Sequence, residues 1–230
     1  MEGRMQMDWL DTAAGKRLIE QERELAGLVL ERVFGDQIVQ IGSWGPPGVL
    51  LEASRTQYSV MVGEDDLPGV KAQVLPQRLA IRTDCVDAVV LPHTLELNPD
   101  PHAVLREVHR VLRPDGKLIV LGFNPLSVWG GRHRLSPKGF PPGVQRQISR
   151  RRLSDWLRLL NLSIDSSRVC YASAPSGRFS RLARRLQWFA SAYLLVATKE
   201  TVPMTIIRPR LRVRARLVES FANPTTRNVA

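Results

Sequence analysis

Apolar residues recur at helical spacing through residues 8–34, where Leu18, Ile19, Leu25, Ala26 and Val29 form a stripe that Glu22 interrupts. That period predicts one or two amphipathic helices, with Gly15 as a divider and Gly35 as a C-terminal stop. The pattern then changes to short apolar runs. Residues 38–41 read as a buried strand and residues 42–48 as a tight turn; residues 58–62 and 79–81 read as a second and a third strand. Residues 86–91 form another apolar run. They are followed by a helix over 100–112 with Val104, Leu105, Val108, Val111 and Leu112 on one face. Asp100 suits its N-cap and Pro101 its first turn. A turn over 113–116 leads to an apolar strand over 117–123. Strand, helix and strand with short connections make a βαβ unit, which implies parallel strands and a right-handed crossover. The fold class expected is α/β, a doubly wound, mostly parallel sheet with helices on both faces.

The second half is less regular. Residues 124–148 hold four Gly and four Pro and read as a long loop, of the kind that is usually functional. Residues 149–162 read as a helix with Leu153, Trp156, Leu157 and Leu160 on its apolar face and Arg150, Arg151, Arg152 and Arg158 around its polar side. A strand over 163–171, an amphipathic basic segment over 178–189 and a closing strand over 192–198 follow. Three regions are expected: an N-terminal helical cap over 1–35, an α/β domain over 36–200, and a basic, weakly ordered tail over 201–230.

Composition narrows the class. With 43% hydrophobic and 24% charged residues the chain is a folded globular protein. No apolar run approaches the ~18–20 residues of a membrane-spanning helix, and the N-terminus has no apolar signal core. The two cysteines, Cys85 and Cys170, make neither a disulfide framework nor a metal knuckle, so a cytoplasmic chain without a metal is expected. The net charge of +11 is uneven: residues 1–100 carry −7 and residues 132–185 carry +11. A polyanion or an acidic membrane surface is the partner class such a distribution suggests for the back half.

Residues 84–125 carry a more specific signal. The strand Val86, Asp87, Val89, Val90; the turn Leu95, Glu96, Asp100, Pro101; and the helix and turn Leu105, Glu107, Arg110, Val111, Leu112, Arg113, Pro114, Asp115, Gly116 stand at fixed offsets. This segment resembles the middle of a class I S-adenosylmethionine-dependent methyltransferase of the methyltransferase type 11 group. The resemblance implies a seven-stranded, three-layer sandwich, S-adenosyl-L-methionine as cofactor, and direct in-line methyl transfer to an acceptor.

It also implies a glycine-rich cofactor loop after the first strand, here Gly42, Ser43, Trp44, Gly45, Pro46, Pro47 and Gly48. Glycines let a backbone approach a ligand closely. The chain departs from the family twice: Gln40 stands where an acidic residue precedes the first glycine, and the usual G-x-G-x-G becomes G-S-W-G-P-P-G. The expected cofactor-binding residues are Gly42, Ser43, Gly45, Gly48, Leu91, Pro92 and an acid after the second strand. Glu64, Asp65 and Asp66 are candidates for that acid, and Glu64 is nearest the strand end; a carboxylate accepts two ribose hydroxyls at once. His93, after the fourth strand, is the candidate general base or pocket hydrogen-bonding group.

On the acceptor side, Asn124, Trp129 and Arg132 are the candidate substrate residues. Rings interleaved with cations there suit RNA or another anionic acceptor. An amphipathic lid over a lipid- or quinone-like substrate and a small acidic metabolite remain open, the basic helices also suiting a membrane surface. Against the enzyme stands a catalytically degenerate member of the fold that serves as a binding or interaction module, and the loop at 42–48 discriminates the two.

Overall fold

The structure, a computed structural model, describes residues 8–64, 67–136, 139–170 and 190–200. Its elements in chain order are α1 (Ala13–Leu30), β1 (Gln37–Ile41), β2 (Tyr58–Gly63), β3 (Val70–Gln73), β4 (Val86–Pro92), α2 (Thr94–Leu97), α3 (Pro101–Val111), β5 (Leu112–Phe123), α4 (Val128–Leu135), α5 (Arg150–Leu159), β6 (Leu162–Cys170) and β7 (Ala192–Lys199). The strands form one seven-stranded sheet in the order β3-β2-β1-β4-β5-β7-β6. All pairs are parallel except those of β7, which runs antiparallel to β5 and β6.

The sheet is covered on both faces. Alternate residues of β4 and β5 face opposite sides: Ala88, Val90, Ile119 and Leu121 pack with Leu18, Ala26 and Leu30 of α1. Val89, Leu91, Leu118 and Val120 pack with Val104, Leu105 and Val108 of α3 and Leu153 and Leu157 of α5. Burial on both faces is why these strands read as unbroken apolar runs rather than alternating ones. The N-terminal stripe therefore belongs to the same core as the sheet. Thr12 caps α1, its Oγ1 accepting the Gly15 N–H, so Gly15 lies inside the first turn and does not divide the helix.

Three expectations are corrected. The third strand is Val70–Gln73, not 79–81. It is a polar edge strand, largely exposed, and backbone pairing to β2 rather than an apolar face defines it. Leu79 is buried instead as a loop residue pinned to α3, its N–H donating to Glu107 and its carbonyl accepting from Arg110. The turn at 113–116 lies within β5, where its four residues oppose the single residue Asp87 of β4 between the pairs Val86–Leu112 and Ala88–Lys117. The loop over 124–148 contains α4, capped by Ser127, whose two glycines depress helix propensity and hid it. The segment 178–189 and the tail over 201–230 lie outside the described residues.

Candidate functional site

β1 and β4 are parallel neighbours, and from them the sheet winds outward in both directions. That is the switch point of the topology, where open α/β sheets bind ligands beyond the carboxyl ends of the strands. His93 stands there, directly after β4, with φ 56° and its N–H donating to Leu121. Its ring is fully buried between two carboxylates. Nε2 is 2.8 Å from Glu22 Oε1 and Nδ1 is 3.0 Å from Glu96 Oε2. Glu22 comes from α1; its other oxygen accepts the Trp44 indole N–H at 2.7 Å. Glu96 also accepts the Phe123 N–H at 2.9 Å and the Ile148 N–H at 3.3 Å.

Between two ionised carboxylates only an imidazolium can donate from both ring nitrogens. Burial alone lowers the imidazole pKa, but Glu22 and then Glu96 outweigh it and raise the value to about 9. Burial holds the Glu96 carboxyl above its usual range, against the opposing pull of His93 and of the Phe123 and Ile148 amides. With both nitrogens engaged and no exposure, His93 offers no lone pair to an acceptor. The ring is a clamp between α1, β4 and β5 rather than an exposed base. The two carboxylates face opposite ring nitrogens, and no group of described residues is arranged to hold a metal ion.

The glycine-rich loop wraps this cluster. Gly42, Gly45 and Gly48 have φ of 93°, 74° and 75°, the left-handed region that favours glycine. Yet two of the three glycine faces are covered. A Cβ on Gly42 would lie 2.9 Å from Thr94 Oγ1, and one on Gly45 would lie 3.0 Å from Ile19 Cδ1 of α1. Trp44 between them is 1% exposed, its ring 4.2 Å from that of His93 and 5.8 Å from that of Phe123. Further out, Pro47 closes on Gly69 beyond β2, where an added Cβ would meet Pro47 Cβ at 2.6 Å. Beneath the loop, Gln40 is buried. Its Nε2 donates to the Gly42 carbonyl and reaches Met61 Sδ, while its Oε1 has no partner among the described residues. An unsatisfied buried acceptor costs roughly 1–3 kcal/mol. Gly45, Pro46 and Pro47 border a cavity of about 530 Å3 with Lys16, Ile19 and Glu20 of α1.

The remaining expected residues are scattered around this centre. Ser43 is half-buried. Leu91 is buried in the core on the α3 side and Pro92 closes β4, so each reaches the edge only through backbone. Glu64 is exposed just past β2 and makes no hydrogen bond among the described residues; Asp65 and Asp66 lie outside them. Asn124 follows β5 and lines a cavity of about 320 Å3 with Ser149, Arg150, Arg151 and Tyr193. Trp129, expected on the acceptor side, is 7% exposed and packs edge-on against Trp9 and Phe140, because α4 folds it inward. The Arg132 guanidinium lies 4.1 Å over the Phe140 ring. Glu22 and Glu96 were absent from the sequence-based site. Glu22 left a signal, a lone charge in an otherwise apolar stripe.

A methyltransferase domain model matches residues 55–120, the stretch from β2 to mid-β5. The protein YafS of Escherichia coli (strain K12), itself uncharacterized, is 33% identical over 178 residues, covering 76% of this chain and 73% of YafS. Among solved structures, an S-adenosylmethionine-dependent methyltransferase of Thermotoga maritima superposes with a TM-score of 0.63 at 17% identity, over 81% of this chain and 92% of that one. Geranyl diphosphate C-methyltransferase of Streptomyces coelicolor A3(2), solved with S-adenosyl-L-homocysteine, gives 0.56 at 14% identity, over 78% and 77%. The methyltransferase domain match supports S-adenosyl-L-methionine as the cofactor. Glu64 and the unpartnered Gln40 Oε1 are acceptors that suit such a group, but the loop between them does not fit it as it stands. Counted from Gly42, the second and third glycines of G-x-G-x-G fall on Trp44 and Pro46, and the indole fills the space that a glycine leaves open. The sheet order, the domain match and the relation to YafS lead to one conclusion: the chain belongs to the YafS family, built on the class I S-adenosylmethionine-dependent methyltransferase fold.

Proposed function

We propose that the protein is an S-adenosyl-L-methionine-dependent methyltransferase that passes a methyl group to its acceptor by direct in-line displacement. The observation that carries this reading is the methyltransferase domain over residues 55–120, laid on a sheet in the order 3-2-1-4-5-7-6. Such a reaction asks little covalent chemistry of the protein; holding two reactants in line and excluding water supplies most of the acceleration. His93 then serves by fixing the ends of β4 and β5 rather than by moving a proton. The cavity beside Asn124 is the acceptor side, and its chemistry is cationic: no described carboxylate pairs with Arg150 or Arg151. An anionic acceptor suits it, with RNA and an acidic membrane surface as the macromolecular sources of that charge.

The closed loop favours a second reading, a member of the fold that has become a binding or interaction module. Calorimetric titration with S-adenosyl-L-methionine and S-adenosyl-L-homocysteine separates them. The enzyme reading expects saturable binding below about 1 mM, near −4 kcal/mol or tighter. No heat up to millimolar cofactor, from wild type and from loop-opened variants alike, sinks it and leaves the module.

A further inference from the structure

We propose that Trp44 is an internal plug in the cofactor cleft, latched to α1 by Glu22, and that cofactor binds only when this latch releases. The inference rests on the methyltransferase reading and names the residues that regulate access to its site.

Three observations converge on it. First, the indole stands at the position of the loop's second glycine, where the backbone of such a loop would otherwise be bare to a ligand, and it is 1% exposed. Second, polar bonds as well as apolar packing hold it. Its N–H donates to Glu22 at 2.7 Å, and Glu22 in turn binds His93 at 2.8 Å, while the ring lies against His93 and Phe123. A permanent core at this point would be built more simply from aliphatic side chains, since burying a carboxylate is costly unless it is fully paired. Third, Gln40 Oε1, under the same loop, is a buried acceptor without a donor among the described residues. A buried polar group left unpaired asks for an explanation, and a ligand that the closed loop keeps out supplies one.

The latch joins two elements, the loop after β1 and the middle of α1. α1 contributes Glu22 and also Ile19, which covers the face of Gly45. Displacing α1 therefore removes the acceptor of the indole N–H and uncovers a glycine at once. Binding then costs the opening of the latch, and the apparent dissociation constant is the intrinsic one divided by the open fraction.

The test is calorimetric titration of the full chain with S-adenosyl-L-homocysteine, with thermal melts to show that each variant is folded. Trp44→Gly is expected to bind at least about tenfold tighter than wild type and Glu22→Gln about threefold tighter, each by raising the open fraction. Trp44→Phe keeps the bulk but loses the hydrogen bond, and it is expected to gain less than Trp44→Gly. Amide exchange gives a second readout: the ligand should accelerate exchange in α1 of the wild type, as the latch opens. If wild type binds and neither Trp44→Gly nor Glu22→Gln binds more tightly, the plug is wrong and the methyltransferase reading stands. If no form binds up to millimolar ligand, removing the plug has exposed no site, and both fall. If Trp44→Gly loses its cooperative melt, Glu22→Gln decides, and an unchanged affinity overturns the plug.

Discussion

Two regions meet at the carboxyl edge of the sheet and differ in kind. The β4–α3–β5 unit is ordinary: Val104, Leu105, Val108 and Val111 are fully buried on one helix face, and Asp100 caps the helix by accepting the Ala103 N–H. The helix period, its cap and the apolar strands there agree with the fold. The β1 loop region breaks local rules. It buries two carboxylates, a charged histidine, an indole and an unpaired amide oxygen within one shell. The contrast shows that a single edge can hold a regular scaffold unit beside a loop packed with buried charge and an indole. Departures from rules of consistency concentrate where function or strain resides.

The sharpest way to break this comparison is to remove the centre of the second region. His93→Ala leaves Glu22 and Glu96 facing a void without their counter-charge, and the expected loss is about 3–5 kcal/mol, read from the urea midpoint. A loss below about 1 kcal/mol would mean that the cluster is solvated and that the region is no different from the rest. In the ordinary unit, Leu105→Ala should cost about 2–5 kcal/mol by cavity formation alone. The two variants differ in pH dependence. Leu105→Ala should keep the wild-type profile, whereas His93→Ala should lose the fall through pH 9 and move it to lower pH, where the buried carboxylates that His93 had held down now titrate.

That profile has a definite sign. The folded pKa of His93, about 9, lies above its unfolded value, so its contribution to stability is complete below about pH 6.5 and disappears as the pH rises through 9. The raised Glu96 carboxyl acts in the same direction, since the folded state also holds that proton more tightly. Denaturant unfolding across pH 6–10 should show stability falling, by on the order of a few kcal/mol, and constant stability would disprove the imidazolium assignment. The smallest effect belongs to a contact outside both regions. Ser149→Ala removes the cap whose Oγ accepts the Arg152 N–H, at a cost of about 1 kcal/mol with no change in pH profile.

The legible part of the fold was the part in which burial is continuous. β4, β5 and β7 are covered on both faces, so their apolar runs identify them, and α3 carries its period without interruption. β3 was misplaced because an exposed edge strand is defined by its neighbour's hydrogen bonds. α4 was passed over because its glycines and the surrounding prolines read as loop. The site was legible by position but not by role. The spacing put His93 and the loop at the right edge, and Glu96 was already among the motif residues, but nothing in the sequence paired either of them with Glu22.

The amino-acid sequence by itself determined the class of sheet, the βαβ unit with its caps, the glycine-rich loop and its two departures, and the uneven charge, because each is written in neighbours within about one turn or strand. Only the tertiary structure decided that Glu22, 71 positions before His93, closes on it; that the result is an imidazolium held between carboxylates; and that Trp44 turns inward instead of leaving the loop bare. Those outcomes depend on contacts between elements far apart in the chain, made in a low-dielectric interior where one misplaced charge costs more than any local propensity.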